Sequence, residues 1–140
     1  MRDIDNIFEK IKRDGHRLTK IRKAMVVILF AEKCLLSASE IRARLSASGL
    51  AADRTTVYRE LGFLLEKNII KEIRIADRKT YYEIVSPEHH HHLVCTKCDS
   101  VQEIVMGNHL KRQEDRIYKK AKFKVLAHSL EFYGLCRKCK

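Results

Sequence analysis

The chain has 140 residues, of which 45% are hydrophobic and 34% charged, and it carries a formal net charge of +11. Its longest apolar run, residues 24–31, is far shorter than the ~20 residues of a membrane-spanning helix, so the composition predicts a soluble folded protein without a membrane span. The excess positive charge lies in both halves of the chain and favours a polyanion such as nucleic acid as the partner.

Four helices are predicted in the first half of the chain, from apolar residues at helical spacing and from capping residues. Ser37 is followed three residues later by Glu40, which is the pattern of a capping box. Gly49 ends that helix, and Asp53 can cap the next one. The four predicted helices cover residues 3–14, 19–33, 37–48 and 53–67.

Beyond Asn68 the apolar residues change from helical spacing to alternation. Residues 69–76 and 79–85 are predicted to form two strands, joined at Asp77 and Arg78 in a hairpin. Helices followed by such a hairpin predict a winged helix-turn-helix, whose last helix enters the major groove of DNA. A winged domain that binds another protein is the alternative. We expect DNA contacts from Arg54, Thr55, Thr56, Tyr58, Arg59 and Arg22, and from Arg74, Arg78 and Lys79 of the wing.

Pro87, the only proline, marks the boundary between two predicted domains, residues 1–86 and 87–140. The second domain is predicted to contain strands at 93–95 and 101–105, a helix at 108–122 and a long strand at 123–133. A domain this small gains stability from a bound metal and from pairing with a copy of itself. We therefore expect an α+β protein, with an N-terminal winged helix-turn-helix followed by a small α/β dimerisation domain.

Two CxxC pairs stand out in the second domain, Cys95 with Cys98 and Cys136 with Cys139. The acidic N-terminal segment does not resemble a signal peptide, so we expect a cytoplasmic chain, in which paired CxxC elements indicate zinc rather than disulfides. Four thiolates suit tetrahedral Zn(II). A redox pair and unrelated free cysteines are the alternatives. Cys34 lies in an apolar stretch and is predicted to be a small buried hydrophobe.

A run of four histidines, residues 89–92, directly precedes the first CxxC pair. In an extended strand neighbouring side chains point to opposite faces. His89 and His91 would then face one way, and His90 and His92 the other. Imidazole binds zinc, iron, nickel and copper, so the run can serve two metal sites. A solvated polar loop is the alternative interpretation.

Three segments of the chain resemble a known family in combination and in order. They are Thr55–Arg59 with the sequence TTVYR, His89–Cys98 with HHHHLVCTKC, and His128–Cys136 with HSLEFYGLC. Together they resemble the ferric uptake regulator (Fur) superfamily, and the resemblance extends over residues 15–139. It implies a dimeric bacterial repressor that binds palindromic, AT-rich operators in double-stranded DNA when it is loaded with metal.

The resemblance also implies which residues bind metal. The four paired cysteines would hold a structural zinc, and a regulatory metal would lie between the two domains and set the angle between the winged domains of a dimer. The donor set suits Fe(II), our first choice, but also Zn(II) or Mn(II). The implied regulatory ligands are Glu83, His90, His92 and Glu103.

The chain departs from the family pattern in two places. A further regulatory histidine is often found where Leu35 stands here, and Cys34 beside it is a possible substitute. A third metal site would use His89, His91 and His128, but the acid that completes it is missing, because the aligned residues are His109, Leu110 and Lys111. Three alternatives are open: His109 binds instead, Glu114 moves in, or the site is absent.

Two other classes of protein compete with a regulator. A zinc hydrolase would need a general base and an open metal position, but no HExxH motif is present, so we expect neither an enzyme nor a small-molecule substrate. A zinc-stabilised winged-helix adaptor would bind a protein instead of DNA. Salt-dependent DNA binding distinguishes the adaptor from a regulator.

Overall fold

The computed structural model describes residues 2–31, 35–75, 79–86, 88–107 and 109–140. Predictions that involve Cys34, Asp77, Arg78, Pro87 and Asn108 therefore lie outside the described residues. The chain divides into two units, Met1–Val85 and Ser86–Lys140. Within the described residues, no helix combines the length and the apolar character that crossing a membrane requires.

The first unit begins with helices whose starts are fixed by local hydrogen bonds. The Ser37 hydroxyl accepts the Glu40 N–H at 3.3 Å, and the Glu40 carboxylate accepts the Ser37 N–H at 2.7 Å, which confirms the predicted capping box. Asp53 accepts the Thr56 N–H at 2.7 Å and caps the next helix. The elements of this unit are α1 (Arg2–Arg13), α2 (Lys20–Ala31), β1 (Leu36–Ser37), α3 (Ala38–Ala47), α4 (Arg54–Glu66), β2 (Ile70–Ile75) and β3 (Lys79–Ile84).

The apolar faces of these helices form one core, which includes Met25 of α2, Ile41 of α3 and Leu64 of α4, each with 0% of its surface exposed. Strands β2 and β3 form an antiparallel hairpin, and β1 adds to the free edge of β3. The two-residue strand β1 was not predicted, since it is too short to show an alternating pattern. The result is a winged helix in which the core fixes the orientation of α4.

The second unit contains β4 (His90–Cys95), β5 (Val101–Val105), α5 (Lys111–Ala121) and β6 (Glu131–Gly134). Strand β4 is central, antiparallel to β5 and parallel to β6. It begins within the histidine run rather than at the predicted Leu93. With the winged helix of the first unit, this sheet and helix confirm the predicted α+β class.

The predicted long strand over 123–133 is wrong. Only residues 131–134 are in β6, and residues 122–130 form no regular element. Phe123 and Leu126 remain 63% and 86% exposed. Alternating apolar residues show that a segment can be extended, but a strand also needs a neighbour to accept its hydrogen bonds.

Candidate metal centres and nucleic-acid interface

The four paired cysteines come together at one end of the second sheet. The parallel pairing of β4 with β6 sets Cys95 beside Gly134, so the second CxxC turn follows directly next to the first. All four sulfurs lie within 4.8 Å of one another, and the Sγ atoms of Cys98 and Cys136 are 3.7 Å apart. A tetrahedral zinc with Zn–S bonds of about 2.3 Å holds its sulfurs about 3.8 Å apart, so this cluster fits Zn(II).

The charges in this cluster also favour a cation. Backbone N–H groups, first that of Cys136 and then that of Cys98, lower the pKa of the Cys95 thiol to about 6. The hydrogen bond with the Cys136 thiol, together with burial, raises the pKa of Cys139 to about 12. Four crowded sulfurs therefore do not ionise together by themselves, whereas a divalent cation stabilises all four thiolates.

His90, His92 and Glu103 lie on one face of the sheet in the second unit. Antiparallel pairing sets His92 opposite Glu103, and His90 is two residues along the same face of β4. Their ligand atoms lie within 4.8 Å of one another, with His90 Nε2 at 3.9 Å from Glu103 Oε1. His90 Nδ1 donates to the Glu88 carbonyl oxygen at 3.2 Å, and this hydrogen bond orients the imidazole ring on that face of β4.

Glu83, the ligand expected from the first unit, is buried in the wing, with 6% of its side chain exposed. The hairpin register places it opposite Lys71 of β2, whose Nζ lies 2.9 Å from Glu83 Oε1. This ion pair compensates the charge of the buried carboxylate. Lys71 was missed in the sequence, although the register of the predicted hairpin could have identified it as the neighbour of Glu83.

The other face of the histidine strand brings His89 and His91 together with His128. The ligand atoms of the three lie within 4.8 Å of one another, and His89 Nε2 is 2.9 Å from His128 Nε2. His91 is only 3% exposed. Burial lowers the pKa of His91, and the neighbouring imidazoles of His89, His109 and His128 lower it further, so the His91 ring is held neutral, which is the form that binds metal.

Two residues from the segment between β5 and β6, His109 and Glu114, contact this cluster. The ring of His109 meets the ring of His91 edge-on, with centroids 5.3 Å apart. Glu114 of α5 accepts a hydrogen bond from His128 Nδ1 at 2.9 Å. The structure therefore brings both residues that the sequence offers in place of the missing acid next to the three histidines.

The predicted DNA-contacting residues of α4 lie on its outer side. Arg54, Thr55 and Arg59 are exposed, Tyr58 is 47% exposed and Thr56 is half-buried, whereas Val57 between them is only 1% exposed and packs in the core. The Arg54 guanidinium lies 5.5 Å from the centre of the Tyr58 ring. This side of α4 therefore presents two cations, hydroxyl groups and an aromatic ring to solvent.

A groove of about 1010 Å³ extends from the start of α4 across α3 to the wing. Among the described residues, its lining includes the cations Arg42, Arg54 and Lys79 and one acid, Glu40. Arg42 was missed in the sequence because nothing local distinguishes it from other exposed arginines on helices. Arg74 lies on β2 next to Glu72, with Nε 3.1 Å from Oε1, and Arg78 lies outside the described residues.

Arg22 is held inside the first unit. Its Nε is 2.7 Å from Glu60 Oε2, and its Nη1 donates to the Arg17 carbonyl oxygen at 2.7 Å. The guanidinium also stacks on Phe63, 3.6 Å from the ring centre. These contacts direct the Arg22 side chain to the packing of α2 against α4, so we leave it out of the DNA-contacting set proposed below.

The comparisons with known proteins agree with this fold and these clusters. A sequence model of the ferric uptake regulator family matches residues 13–133. The ferric uptake regulation protein of Bacillus subtilis is 33% identical over 140 residues, which cover 97% of this chain and 93% of that protein.

Two solved structures extend the similarity to the whole fold. The ferric uptake regulator of Helicobacter pylori, whose structure reveals three functional metal binding sites, gives a TM-score of 0.80 at 26% identity, over 99% of this chain and 92% of that chain. The structure of the ferric uptake regulator of Francisella tularensis with iron gives a TM-score of 0.77 at 25% identity. The match covers 89% of this chain and 95% of that chain. The chain therefore belongs to the ferric uptake regulator family and is a metal-dependent transcriptional regulator rather than an enzyme.

Proposed function

We propose that the chain is a cytoplasmic repressor that binds a palindromic, AT-rich operator as a homodimer when Fe(II) occupies its regulatory site. Residues 1–86 bind DNA, and residues 87–140 form the dimer and bind metal. The ligands of the regulatory metal in this proposal are Glu83, His90, His92 and Glu103.

The observation that carries the proposal is the outer side of α4. A winged helix reads bases with the exposed N-terminal part of its recognition helix, and Tyr58 and Arg59 occupy that position. Arg59 can donate two hydrogen bonds to guanine or bind phosphate, and the methyl and hydroxyl groups of Thr55 can contact thymine or phosphate. The cations Arg42 and Lys79 of the groove suit the backbone on either side of the bases.

The donor set of the regulatory site limits which metals it binds. Two imidazoles and two carboxylates are borderline and hard ligands, which Fe(II), Mn(II) and Zn(II) all accept. The Francisella tularensis relative was solved with iron, and we therefore rank Fe(II) first. Glu83 belongs to a strand of the wing, whereas the other three ligands belong to the second unit. A metal that binds all four selects one arrangement of the DNA-binding units, which is a physical basis for metal-dependent binding.

The second unit exposes apolar side chains that a homodimer would bury. Helix α5 has no buried residue among those described, and Tyr118 is 56% exposed. The segment that follows α5 exposes Phe123 and Leu126 as well. Exposed apolar side chains of this kind on a small domain fit burial against a second copy of the chain, and a two-fold dimer matches a palindromic operator.

The test is operator binding at fixed salt by the zinc-loaded chain, with and without Fe(II), Mn(II) or Zn(II). We expect the regulatory metal to tighten binding by roughly 5- to 150-fold, and Glu83→Ala with His90→Ala to remove this gain. The order of the three metals identifies the one that is sensed. His16→Ala with Glu9→Ala, which changes the same residue types outside the clusters, keeps the gain.

The DNA-contacting side of α4 has its own test. Arg59→Ala should weaken specific binding by about 1–3 kcal/mol if the guanidinium reads a guanine. Lys12→Ala removes the same charge from α1, where the Lys12 ammonium pairs with Glu9 at 3.2 Å, and should change binding little. Tight binding without metal would make the regulatory site a structural one. Failure to bind DNA under every condition would overturn the proposal in favour of the protein-binding adaptor.

A further inference from the structure

We propose that four histidines of the second unit form an all-imidazole Zn(II) site, in which a histidine replaces the acid that the family pattern supplies. The four are His89, His91, His109 and His128. The inference deepens the proposed function, and it rests on that function only in treating the chain as a metal-binding regulator.

Three of the nitrogens already converge. His89 Nε2 and His128 Nε2 are 2.9 Å apart, and the ligand atoms of these two residues and His91 lie within 4.8 Å of one another. Two ring nitrogens at this distance repel if both carry only lone pairs, so a proton or a cation must lie between them. A tetrahedral zinc with Zn–N bonds of about 2.0–2.1 Å holds its nitrogens about 3.3 Å apart, close to the spacing already present.

One nitrogen of the third histidine, His91, is buried and has no partner in the described part of the chain. His91 Nε2 is buried and has no hydrogen-bond partner among the described residues. A buried polar atom of this kind costs free energy unless a water, an ion or another polar group satisfies it. A metal bound by the neighbouring histidines satisfies it directly.

The hydrogen bonds of His128 and His109 fix which nitrogen of each ring carries the lone pair. His128 Nδ1 donates to Glu114 Oε1 at 2.9 Å, and His109 Nδ1 donates to the Gly107 carbonyl oxygen at 2.7 Å. Each bond leaves the lone pair on Nε2, the nitrogen that then serves as a ligand. Carboxylate–histidine–metal chains of this form are typical of zinc sites.

The same hydrogen bonds decide whether Glu114 or His109 is the fourth ligand. Glu114 lies on the Nδ1 side of the His128 ring, so the ring separates its carboxylate from a metal at Nε2. His109 lies outside the set of ligand atoms within 4.8 Å of one another, but its exposed ring packs edge-on against His91, with ring centroids 5.3 Å apart, and a rotation of that ring brings Nε2 to the cluster. Glu114 is therefore a positioning residue, and His109 is the ligand.

Replacing a carboxylate with an imidazole changes the metal that the site prefers. Carboxylates suit Mn(II), whereas imidazoles suit Zn(II), Ni(II) and Cu(II), which also bind nitrogen more tightly in the usual order of divalent metals. The imidazole site should therefore discriminate against Mn(II) more strongly than a site of three histidines and one acid.

The experiment uses the full chain with its cysteine-bound zinc and with Glu83→Ala and His90→Ala, which silence the proposed regulatory site. Equilibrium dialysis against Zn(II) or Mn(II), with metal analysis, measures the additional ion. We expect one further zinc per chain. His109→Ala should weaken the binding of this further zinc by more than ~100-fold. Glu114→Gln changes a residue that only positions a ligand, and the expected loss of zinc affinity is smaller, roughly 10- to 100-fold. His16→Ala is the matched histidine control and should have no effect.

Two further measurements complete the test. His109→Glu restores an acid and should raise Mn(II) affinity relative to Zn(II), while X-ray absorption of the Ni(II)-loaded background should show imidazole ligation that decreases in His109→Ala. Circular dichroism checks that each variant is folded. Zinc affinity unchanged by His109→Ala, or reduced more by Glu114→Gln than by His109→Ala, would overturn the inference. Either result leaves the operator-binding experiment on the parent chain unaffected, so the two proposals fail separately.

Discussion

At the scale of single residues, the ion pair between Lys71 and Glu83 bears directly on metal binding. Glu83 is buried and its carboxylate is 2.9 Å from the Lys71 ammonium, whose side chain is 45% exposed. A metal that takes Glu83 as a ligand must compete with this ammonium for the same oxygen atoms. In the proposed mechanism, Lys71 therefore raises the concentration of metal that is needed to occupy the regulatory site.

Replacing Lys71 with methionine should raise the affinity of the regulatory site. The expected gain is roughly 1.5- to 5-fold, because a partly exposed ion pair contributes about 0.2–1 kcal/mol. Titration of Fe(II) or Mn(II) into the zinc-loaded chain measures it. Arg74→Met is the control, since it breaks the ion pair with Glu72 on the same strand. Weaker metal binding in Lys71→Met would mean that Lys71 supports the site instead of competing with the metal.

At the scale of elements, the capping box at the start of α3 helps to hold the recognition helix in place. Ser37 closes the box and also belongs to β1, where it pairs with Tyr81 of the wing. Helix α3 in turn packs against α4 in the core. A local hydrogen-bond pattern at one residue thus links the wing, α3 and α4.

Removing this cap with Ser37→Ala should lower the free energy of unfolding by about 1 kcal/mol. Urea unfolding of the zinc-loaded chain, followed by circular dichroism, measures the change. Ser37→Asp keeps an oxygen that can accept the Glu40 N–H and should recover most of the loss. Equal destabilisation by both substitutions would show that the cap contributes little and that Ser37 acts through its place in β1.

At the scale of the whole molecule, the two units are stabilised by different means. The apolar core lies in the first unit, with Ile41, Leu45 and Leu64 at 0% exposure. In the second unit the buried apolar residues of the described chain are Val94 and Cys95. A unit with so small a core depends on a metal or on a partner for its stability.

Loss of the cysteine-bound metal should therefore unfold the second unit selectively. We expect Cys136→Ser to give rapid hydrogen exchange throughout residues 88–140, while α2, α3 and α4 stay protected. Hydrogen exchange followed by mass spectrometry, with zinc analysis of the same sample, resolves the two units. Arg137→Ser changes an exposed residue between the two cysteines of the second pair and should keep both the zinc and the protection. Equal loss of protection in both units would contradict the separation.

A substitution at Leu126 tests the dimer. The side chain is 86% exposed in the single chain. If the dimer buries this side chain, Leu126→Glu removes about 1.5–3 kcal/mol of favourable apolar burial. The dissociation constant of the dimer should then rise by roughly 10- to 150-fold. Sedimentation velocity measures the monomer fraction. Val27→Glu places the same charge on an exposed apolar residue of the first unit and should leave the dimer intact. An unchanged dimer in Leu126→Glu would locate the interface elsewhere.

The sequence by itself determined the features that depend on near neighbours in the chain. The capping box at Ser37, the two CxxC turns and the alternating faces of the histidine strand are set by residues within four positions of one another. Such interactions leave a spacing that can be recognised without knowing the fold, which is why the helices, the wing and the cysteine cluster were predicted.

Only the tertiary structure decided the partners that are distant along the chain. The pairing of Lys71 with Glu83, the contact of Glu114 with His128 and the parallel strand that joins the two CxxC turns depend on strand register and chain direction. The predicted strand over 123–133 was wrong for the same reason, since alternation defines two faces but does not supply a neighbouring strand. Local patterns fix the conformation of a segment, whereas packing of the whole chain decides what that segment contacts.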